Sequence, residues 1–135
     1  MADAQTEELL RITSRLLESI DQADWATYQD LSDPSLTAFE PEALGQLVEG
    51  LEFHRYYFYS RGGGPKQNQN TTMCAPRVRL MGDAAVVTYV RLTQRAGADG
   101  LPVTLGSAET RVWQRQQGQW RHVHVHRSAL PGWPA

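Results

Sequence analysis

Cysteine and long apolar runs are scarce in this sequence, and each shortage excludes a class of protein. The single cysteine, Cys74, rules out an internal disulfide and any zinc site built from several cysteines. We expect Cys74 to be a small buried residue, as a lone cysteine more often is, and not a nucleophile. No apolar run approaches the roughly 20 residues that cross a bilayer, and the opening MADAQTEELL is typical of neither a secretory signal nor a transit peptide. These features predict a cytoplasmic protein without a membrane partner.

An excess of one charge is also missing. Thirteen Lys and Arg residues against 15 Asp and Glu residues leave a formal net charge of −2. Nucleic-acid phosphates require a basic stripe on the protein, so we expect no nucleic-acid partner. With 135 residues, of which 41% are hydrophobic, the chain can bury roughly two thirds of its unfolded surface. We predict a single domain over residues 1–135, with a core at about 6–128 and a loose tail at 129–135.

The first part of the chain has helical periodicity. Between residues 6 and 20, the apolar residues on one helix face are Leu9, Ile12, Leu16 and Ile20. Asp24 is a candidate N-cap for a second helix, Trp25 to Leu31, which the turn at Asp33 and Pro34 would end. A short β-like piece follows at residues 36–39. This half of the chain therefore predicts helices that pack through one apolar face.

Pro41 suits a first helical position and predicts a third helix that continues to Phe58. The apolar stripe of that helix would contain Leu44, Leu47, Val48, Leu51, His54, Arg55 and Phe58. Gly45 and Gly50 would each cost about 1 kcal/mol relative to Ala inside it, which suggests a close backbone approach to another element. His54 is then an ionisable group on an apolar face.

The second half of the chain changes to a period of two. Residues 60–69, with three glycines and a proline, predict a flexible loop. The predicted strands cover 71–81, 84–95, 103–115 and a final run after Gly118. Helices followed by a meandering antiparallel sheet make an α+β arrangement. The strand at 84–95 is apolar on both faces, which favours a second covering layer such as another subunit.

The last two strands form a predicted hairpin, SAETRVWQRQQGQWRHVHVHRS, from Ser107 to Ser128. Strand alternation places two sets of side chains on like faces: Glu109, Arg111 and Trp113 on the first strand, and Val123, Val125 and Arg127 on the second. The opposite face of the second strand would carry Trp120 and a histidine ladder of His122, His124 and His126. Two histidines at i and i+2 can bind one zinc or copper ion, but no third ligand is evident. We therefore expect no metal.

Three arginines, Arg91, Arg111 and Arg127, lie on strand positions that a curved sheet could bring together. A buried guanidinium group without an anion costs several kcal/mol. Two interpretations stay open. Glu40, Glu109 or another carboxylate of the chain neutralises the arginines in a structural network, or the arginines line a pocket for an anionic ligand, since guanidinium groups bind carboxylates in a bidentate manner.

Several motifs, in order, resemble the association (hub) domain of calcium/calmodulin-dependent protein kinase II. They are TAFEPEAL at 37–44, LVEG at 47–50 with FHRYYF at 53–58, YVRLTQ at 89–94, ETRVW at 109–113, and HVHR followed by Ser128. The resemblance runs from about Thr6 to Ser128 and fits a kinase hub or a stand-alone relative. It implies the cone-shaped fold shared with nuclear transport factor 2 and ketosteroid isomerase, and a homo-oligomer of two stacked rings, a dodecamer or a tetradecamer. The GGGPKQNQ segment departs from the family, so contacts made there are not carried over.

The resemblance also implies a deep pocket that binds a small carboxylate. The positions that match its lining are Arg91, Arg111 and Arg127, with His54 and Tyr28 near its wall. We add Glu109, next to Arg111 on the same face, to the predicted pocket. The rival interpretation is a small-molecule binder or an enzyme, an isomerase or cyclase of the same fold, with His54 and Tyr28 as base and acid in that cavity. Only analogy of fold supports this rival. We expect no kinase catalytic domain in this chain, no enzymatic activity and no cofactor.

Overall fold

The computed structural model describes residues 3–60 and 69–131 of the chain. The helices are α1 (Ala4–Asp21), α2 (Trp25–Leu31) and α3 (Glu52–Ser60). The strands are β1 (Ser32–Phe39), β2 (Val48–Glu49), β3 (Asn70–Met81), β4 (Ala84–Ala96), β5 (Pro102–Gln116) and β6 (Gln119–Ala129). Residues 61–68 of the predicted flexible loop and residues 132–135 of the predicted tail lie outside the described residues.

The six strands form one curved, open sheet in the order β2-β1-β6-β5-β4-β3. Every neighbouring pair is antiparallel except β1 and β6, which run parallel. The α+β class and the cone-shaped fold are confirmed, but the sheet is mixed and not purely antiparallel. The parallel pair joins β1, from the helical half of the chain, to β6, the last strand in sequence.

Helices α1 and α2 each begin after an aspartate that caps them, and Asp24 is the cap that the sequence predicts. The Asp3 side chain accepts a hydrogen bond from the Gln5 amide at 3.2 Å, and the Asp24 side chain accepts one from the Thr27 amide at 3.2 Å. Both helices contribute to the main hydrophobic core on the inner face of the sheet, with Leu9, Leu16, Leu17, Trp25, Tyr28 and Leu31. No helix among the described residues has the length and apolar character needed to span a bilayer.

The prediction of one long helix from Pro41 to Phe58 is wrong. After a single 3-10 turn at Pro41–Ala43, Leu44 and Gly45 adopt positive φ values of 53° and 85°. Positive φ ends a helix, and glycine is the residue that adopts it at least cost. A short strand, β2, follows, and α3 begins only at Glu52.

The prediction that Gly50 lies inside a helix, at a point of close packing, is also wrong. Its φ is +81°, and its amide donates a hydrogen bond to the Leu36 carbonyl at 2.7 Å. A Cβ added there would come no nearer than 3.8 Å to the Pro34 carbonyl oxygen, and one added at Gly45 would meet nothing within 4 Å. Both glycines are therefore needed because their φ values are positive, and not because another element packs closely against them.

A β-bulge in β6 changes which side chains face inward. Val112 pairs with His124, whereas Trp113 pairs with His122, so Val123 is an extra residue. Consequently His122 lies fully buried on the inner face, and His126 is exposed on the other side of the sheet. The predicted histidine ladder on one face, and the predicted grouping of Val123 with Val125, are both wrong.

The two faces of β4 differ in how far the chain itself covers them. Ala85, Val87 and Tyr89 are buried under the helices. The alternate side chains Val86, Val90 and Leu92 are only partly buried. The outer face of the sheet therefore carries apolar side chains that these helices do not cover.

Candidate functional site: a buried arginine and carboxylate cluster

The register of the sheet brings the predicted site residues together on its inner face. Arg91 of β4 pairs with Ser107, and Glu109 of β5 pairs with Arg127 of β6. Arg111 lies two residues beyond Glu109 on the same face. Helices α2 and α3 place Tyr28 and His54 above them, with the two ring centroids 5.8 Å apart. Five of the six residues are buried, namely Tyr28, His54, Arg91, Glu109 and Arg111.

Each of the three side-chain nitrogens of Arg111 contacts another side chain of the protein. Its Nε donates to the Tyr89 hydroxyl at 2.7 Å, and its Nη2 donates to Glu109 Oε1 at 3.2 Å. The Tyr89 hydroxyl in turn donates to Glu109 Oε1 at 2.7 Å. Arg111 Nη1 lies 3.2 Å from His122 Nε2, and a guanidinium can only donate in that pair. His122 therefore carries its proton on Nδ1, which faces the Ser32 hydroxyl at 3.5 Å.

These contacts shift the titration of the buried groups. Burial alone would raise the pKa of Glu109, but the charges of Arg111 and then Arg91 outweigh burial and hold that pKa below its usual value. Burial alone would lower the pKa of Arg111, but Tyr89 and Glu109 outweigh it and raise that pKa. Burial, followed by the Arg111 charge, lowers the pKa of His122 well below its usual value. The network thus fixes a charged Arg111 and Glu109 beside a neutral His122.

Arg91 has a partner that the sequence did not single out. Its Nη2 donates to Asp21 Oδ1 at 3.0 Å, and its Nη1 lies 4.0 Å from Glu109 Oε2. Thr71 Oγ1 accepts from the Arg91 Nε at 3.3 Å. Asp21 is the last residue of α1, and nothing in the sequence distinguishes it from a surface acid. Only the packing of α1 on the sheet brings its carboxylate to Arg91.

Arg127 has carboxylate partners from the segment after β1. Its Nη2 lies 3.4 Å from Glu40 Oε2 and 2.5 Å from a Glu42 carboxylate oxygen. Burial alone would lower the pKa of Arg127, but Glu42 and then Glu109 outweigh burial and raise it. Nothing in the local sequence pattern singles out Glu42 as a partner of Arg127.

His54 contacts the same carboxylate cluster. Its Nε2 lies 2.9 Å from Glu40 Oε1, a distance at which a protonated imidazole and a carboxylate form an ion pair. The two groups are not aligned for a hydrogen bond, and neither ring nitrogen of His54 has an aligned partner among the described residues. Burial raises the pKa of the neighbouring Tyr28 to about 12, so its hydroxyl is protonated at neutral pH. The contacts of His54 and Tyr28 therefore give no geometric support for an acid and base pair.

The histidines of β6 do not form a metal site. His124 Nδ1 lies 2.7 Å from Thr37 Oγ1, and the His126 ring packs against Phe39 at 5.5 Å between centroids. His122 points to the opposite face of the sheet. Within residues 3–60 and 69–131, no group of three or more His, Cys, Asp or Glu side chains could hold a metal ion.

Comparison with known proteins agrees with the geometry. The family described as the calcium/calmodulin dependent protein kinase II association domain matches residues 5–131. The delta subunit of calcium/calmodulin-dependent protein kinase type II from Oryctolagus cuniculus is 46% identical over 132 residues, which are 97% of this chain and 25% of that protein. The chain therefore spans about a quarter of the length of this relative.

Solved structures support the same conclusion. The association domain of the C. elegans kinase has a TM-score of 0.87 at 50% identity, over 93% of this chain and 95% of that one. An NTF2-like superfamily protein from Salmonella enterica, at 24% identity, has a TM-score of 0.75 over 91% of this chain and 89% of that one, and shows the fold alone. The segment matched in the kinase is its association domain and not its catalytic domain, as predicted. The chain belongs to the calcium/calmodulin dependent protein kinase II association-domain family, whose hub domains form homo-oligomers.

Proposed function

We propose that this chain is a hub that assembles into a closed homo-oligomer of two stacked rings, with 12 or 14 subunits. The observation that carries the proposal is the outer face of β4, where Val86, Val90 and Leu92 are only partly buried by their own chain. A stable contact between subunits buries on the order of 1,000 Å² or more in total, with an apolar centre. A second subunit on this face would supply that burial.

Native mass spectrometry and light scattering at micromolar concentration test the assembly. A closed ring gives one large mass that does not change with concentration, a multiple of the 15.2 kDa subunit. Val90→Glu places a charge in the centre of the apolar face and should shift the population to small species. Gln29→Glu introduces the same charge at an exposed position of α2, away from this face, and is the matched control. A wild-type protein that stays monomeric at high concentration would refute the proposal.

We further propose that the cluster around Arg127 binds a small carboxylate. Among the described residues, the Arg127 Nε and Nη1 have no hydrogen-bond partner, although the side chain is only 16% exposed. His54 Nε2 lies at the same carboxylate, Glu40, and His54 Nδ1 has no aligned partner among the described residues. A bidentate carboxylate ligand would pair either of these donors with Nη2, the atom that Glu42 contacts.

The melting temperature in rising lactate, with chloride at matched ionic strength, tests this binding. A ligand that binds only the folded state stabilises it by about 2.7 kcal/mol at a hundred times its dissociation constant. We expect a rise specific to lactate in the wild type, absent in Arg127→Gln and kept in Arg95→Gln, which removes an exposed arginine of β4. Equal responses to lactate and chloride would show that the arginines serve only the structural network. The cytoplasmic location of the protein stays a prediction.

A further inference from the structure

The two ends of the arginine cluster differ in how firmly their carboxylates are held. Glu109, which pairs with Arg111, has a fully buried side chain, and Asp21, which pairs with Arg91, is 8% exposed. Glu42, which makes the shortest contact to Arg127, is 37% exposed. An external anion can therefore displace the carboxylate of Glu42 with far less rearrangement than the displacement of Glu109 or Asp21 would require.

The backbone that carries Glu42 is a small exposed turn. It consists of the 3-10 turn Pro41–Ala43 and the two following residues at positive φ, Leu44 and Gly45. From residue 41 to residue 47 no side chain is fully buried, and buried structure resumes at Val48. The contact between Glu42 and Arg127 ties this turn to the sheet.

Glu40, two residues earlier, is in a different position. Its side chain is 8% exposed and lies between His54 and Arg127. It directly follows β1, whose last residue, Phe39, is paired with His126 in the sheet. Glu40 therefore stays in place when the turn moves, and it supplies a fixed negative charge behind the site.

We propose that an incoming carboxylate takes the place of Glu42 on Arg127, so that Glu42 is an internal competitor that sets the affinity and releases its turn when the ligand binds. This inference rests on the proposed carboxylate binding. The carboxylate of Glu42 is chemically equivalent to that of the ligand and is tethered next to Arg127. A tethered group of this kind competes at an effective concentration in the millimolar range or above. Removing its charge should therefore tighten binding.

Isothermal titration with lactate measures the competition in the intact chain. We expect Glu42→Gln to bind lactate about tenfold more tightly than the wild type, because the tethered competitor is lost. Glu52→Gln is the matched control, since Glu52 is 89% exposed on α3 and its ion pair, with Arg55, is a long one of 3.9 Å. Arg127→Gln, alone or combined with Glu42→Gln, should abolish binding.

Hydrogen exchange gives a second measurement that does not depend on affinity. The amides of Ala43, Leu44 and Gln46 each donate a backbone hydrogen bond of 3.1 Å within the turn. Lactate should speed the exchange of these amides in the wild type, where Glu42 is displaced. In Glu42→Gln they should exchange quickly with or without lactate.

The possible outcomes separate this inference from the proposal it rests on. If lactate binds through Arg127 but Glu42→Gln leaves both the affinity and the exchange of the turn unchanged, the site exists and the competition is refuted. If only Glu42→Gln binds, and Arg127→Gln removes that binding, the competition is supported and carboxylate binding by the wild type is refuted. If no variant binds, both are refuted.

Discussion

The arginine cluster has two ends: the Arg111 end, with Tyr89, Glu109 and His122, and the Arg127 end, with Glu40 and Glu42. The two ends use the same residue types for different purposes. At the Arg111 end, the described side chains of Tyr89, Glu109 and His122 all take part in one buried hydrogen-bonded network. At the Arg127 end, the closest carboxylate is partly exposed and donors of the guanidinium are unused. Counting arginines therefore does not define a ligand site; what matters is which donors the protein leaves unused.

The largest expected effect is a loss of folding stability when the buried ion pairs at the Arg111 end are disrupted. Glu109→Gln leaves Arg111 and Arg91 without their shared buried anion. Removing one partner of a buried ion pair costs roughly 3–5 kcal/mol. We expect a loss of that size in the free energy of unfolding, measured with urea.

A double variant tests whether Arg111 and Glu109 stabilise each other. Arg111→Met combined with Glu109→Gln removes the cation together with the anion, so the double variant should lose less than the sum of the two single losses. Strictly additive losses would show that Arg111 and Glu109 do not stabilise each other.

The next effect is a dependence of stability on pH at the Arg111 end. His122 has a folded pKa well below 6.5, caused by burial and then by Arg111. The unfolded chain therefore binds a proton that the folded chain does not, and stability falls as the pH drops below about 6.5. The lowered pKa values of Glu109 and Glu40 add a further loss below about pH 4.5.

Urea unfolding between pH 7 and 5 measures the histidine contribution. His122→Gln should flatten the slope in this window, although it also lowers stability at pH 7 because it disturbs the contact with Arg111. His126→Gln, at an exposed position of the same strand, is the control. An unchanged slope in His122→Gln would show that another group causes the dependence.

The smallest effect is expected at the Arg127 end. Glu42→Gln removes a partly exposed ion pair, and such pairs contribute about 0–1 kcal/mol. Glu40→Gln should cost more, about 2 kcal/mol, because its side chain is 8% exposed and contacts both His54 and Arg127. Equal losses for the two variants, measured with urea, would contradict the difference in how firmly these carboxylates are held.

The sheet and the candidate site could be predicted to different extents. The bounds of β3, β4 and β5 agree with the sequence to within one residue, because alternation and turn residues are local signals. The like faces of Arg111 and Arg127 followed from the same alternation. The long helix failed because the apolar residues from Leu44 to Phe58 fit a helical stripe, while Gly45 and Gly50 are positions of positive φ.

The partners of the arginines could not be predicted from local patterns. Asp21 and Arg91 are 70 residues apart in the chain, and Glu42 and Arg127 are 85 residues apart. An acidic residue at a helix end or in a turn looks the same in sequence whether it faces water or a buried guanidinium. The contact depends on where separate elements pack.

Local sequence patterns predicted the elements whose causes are local: helices α1 and α2, the alternating strands, and the like faces of Arg111 and Arg127. Its motifs also identified the association-domain family. The tertiary structure alone decided the β6 bulge at Val123, which turned His122 inward and separated it from His126. It also decided which carboxylate reaches which arginine. Register and long-range charge pairing depend on the free energy of the whole packed sheet, and no window of neighbouring residues contains that information.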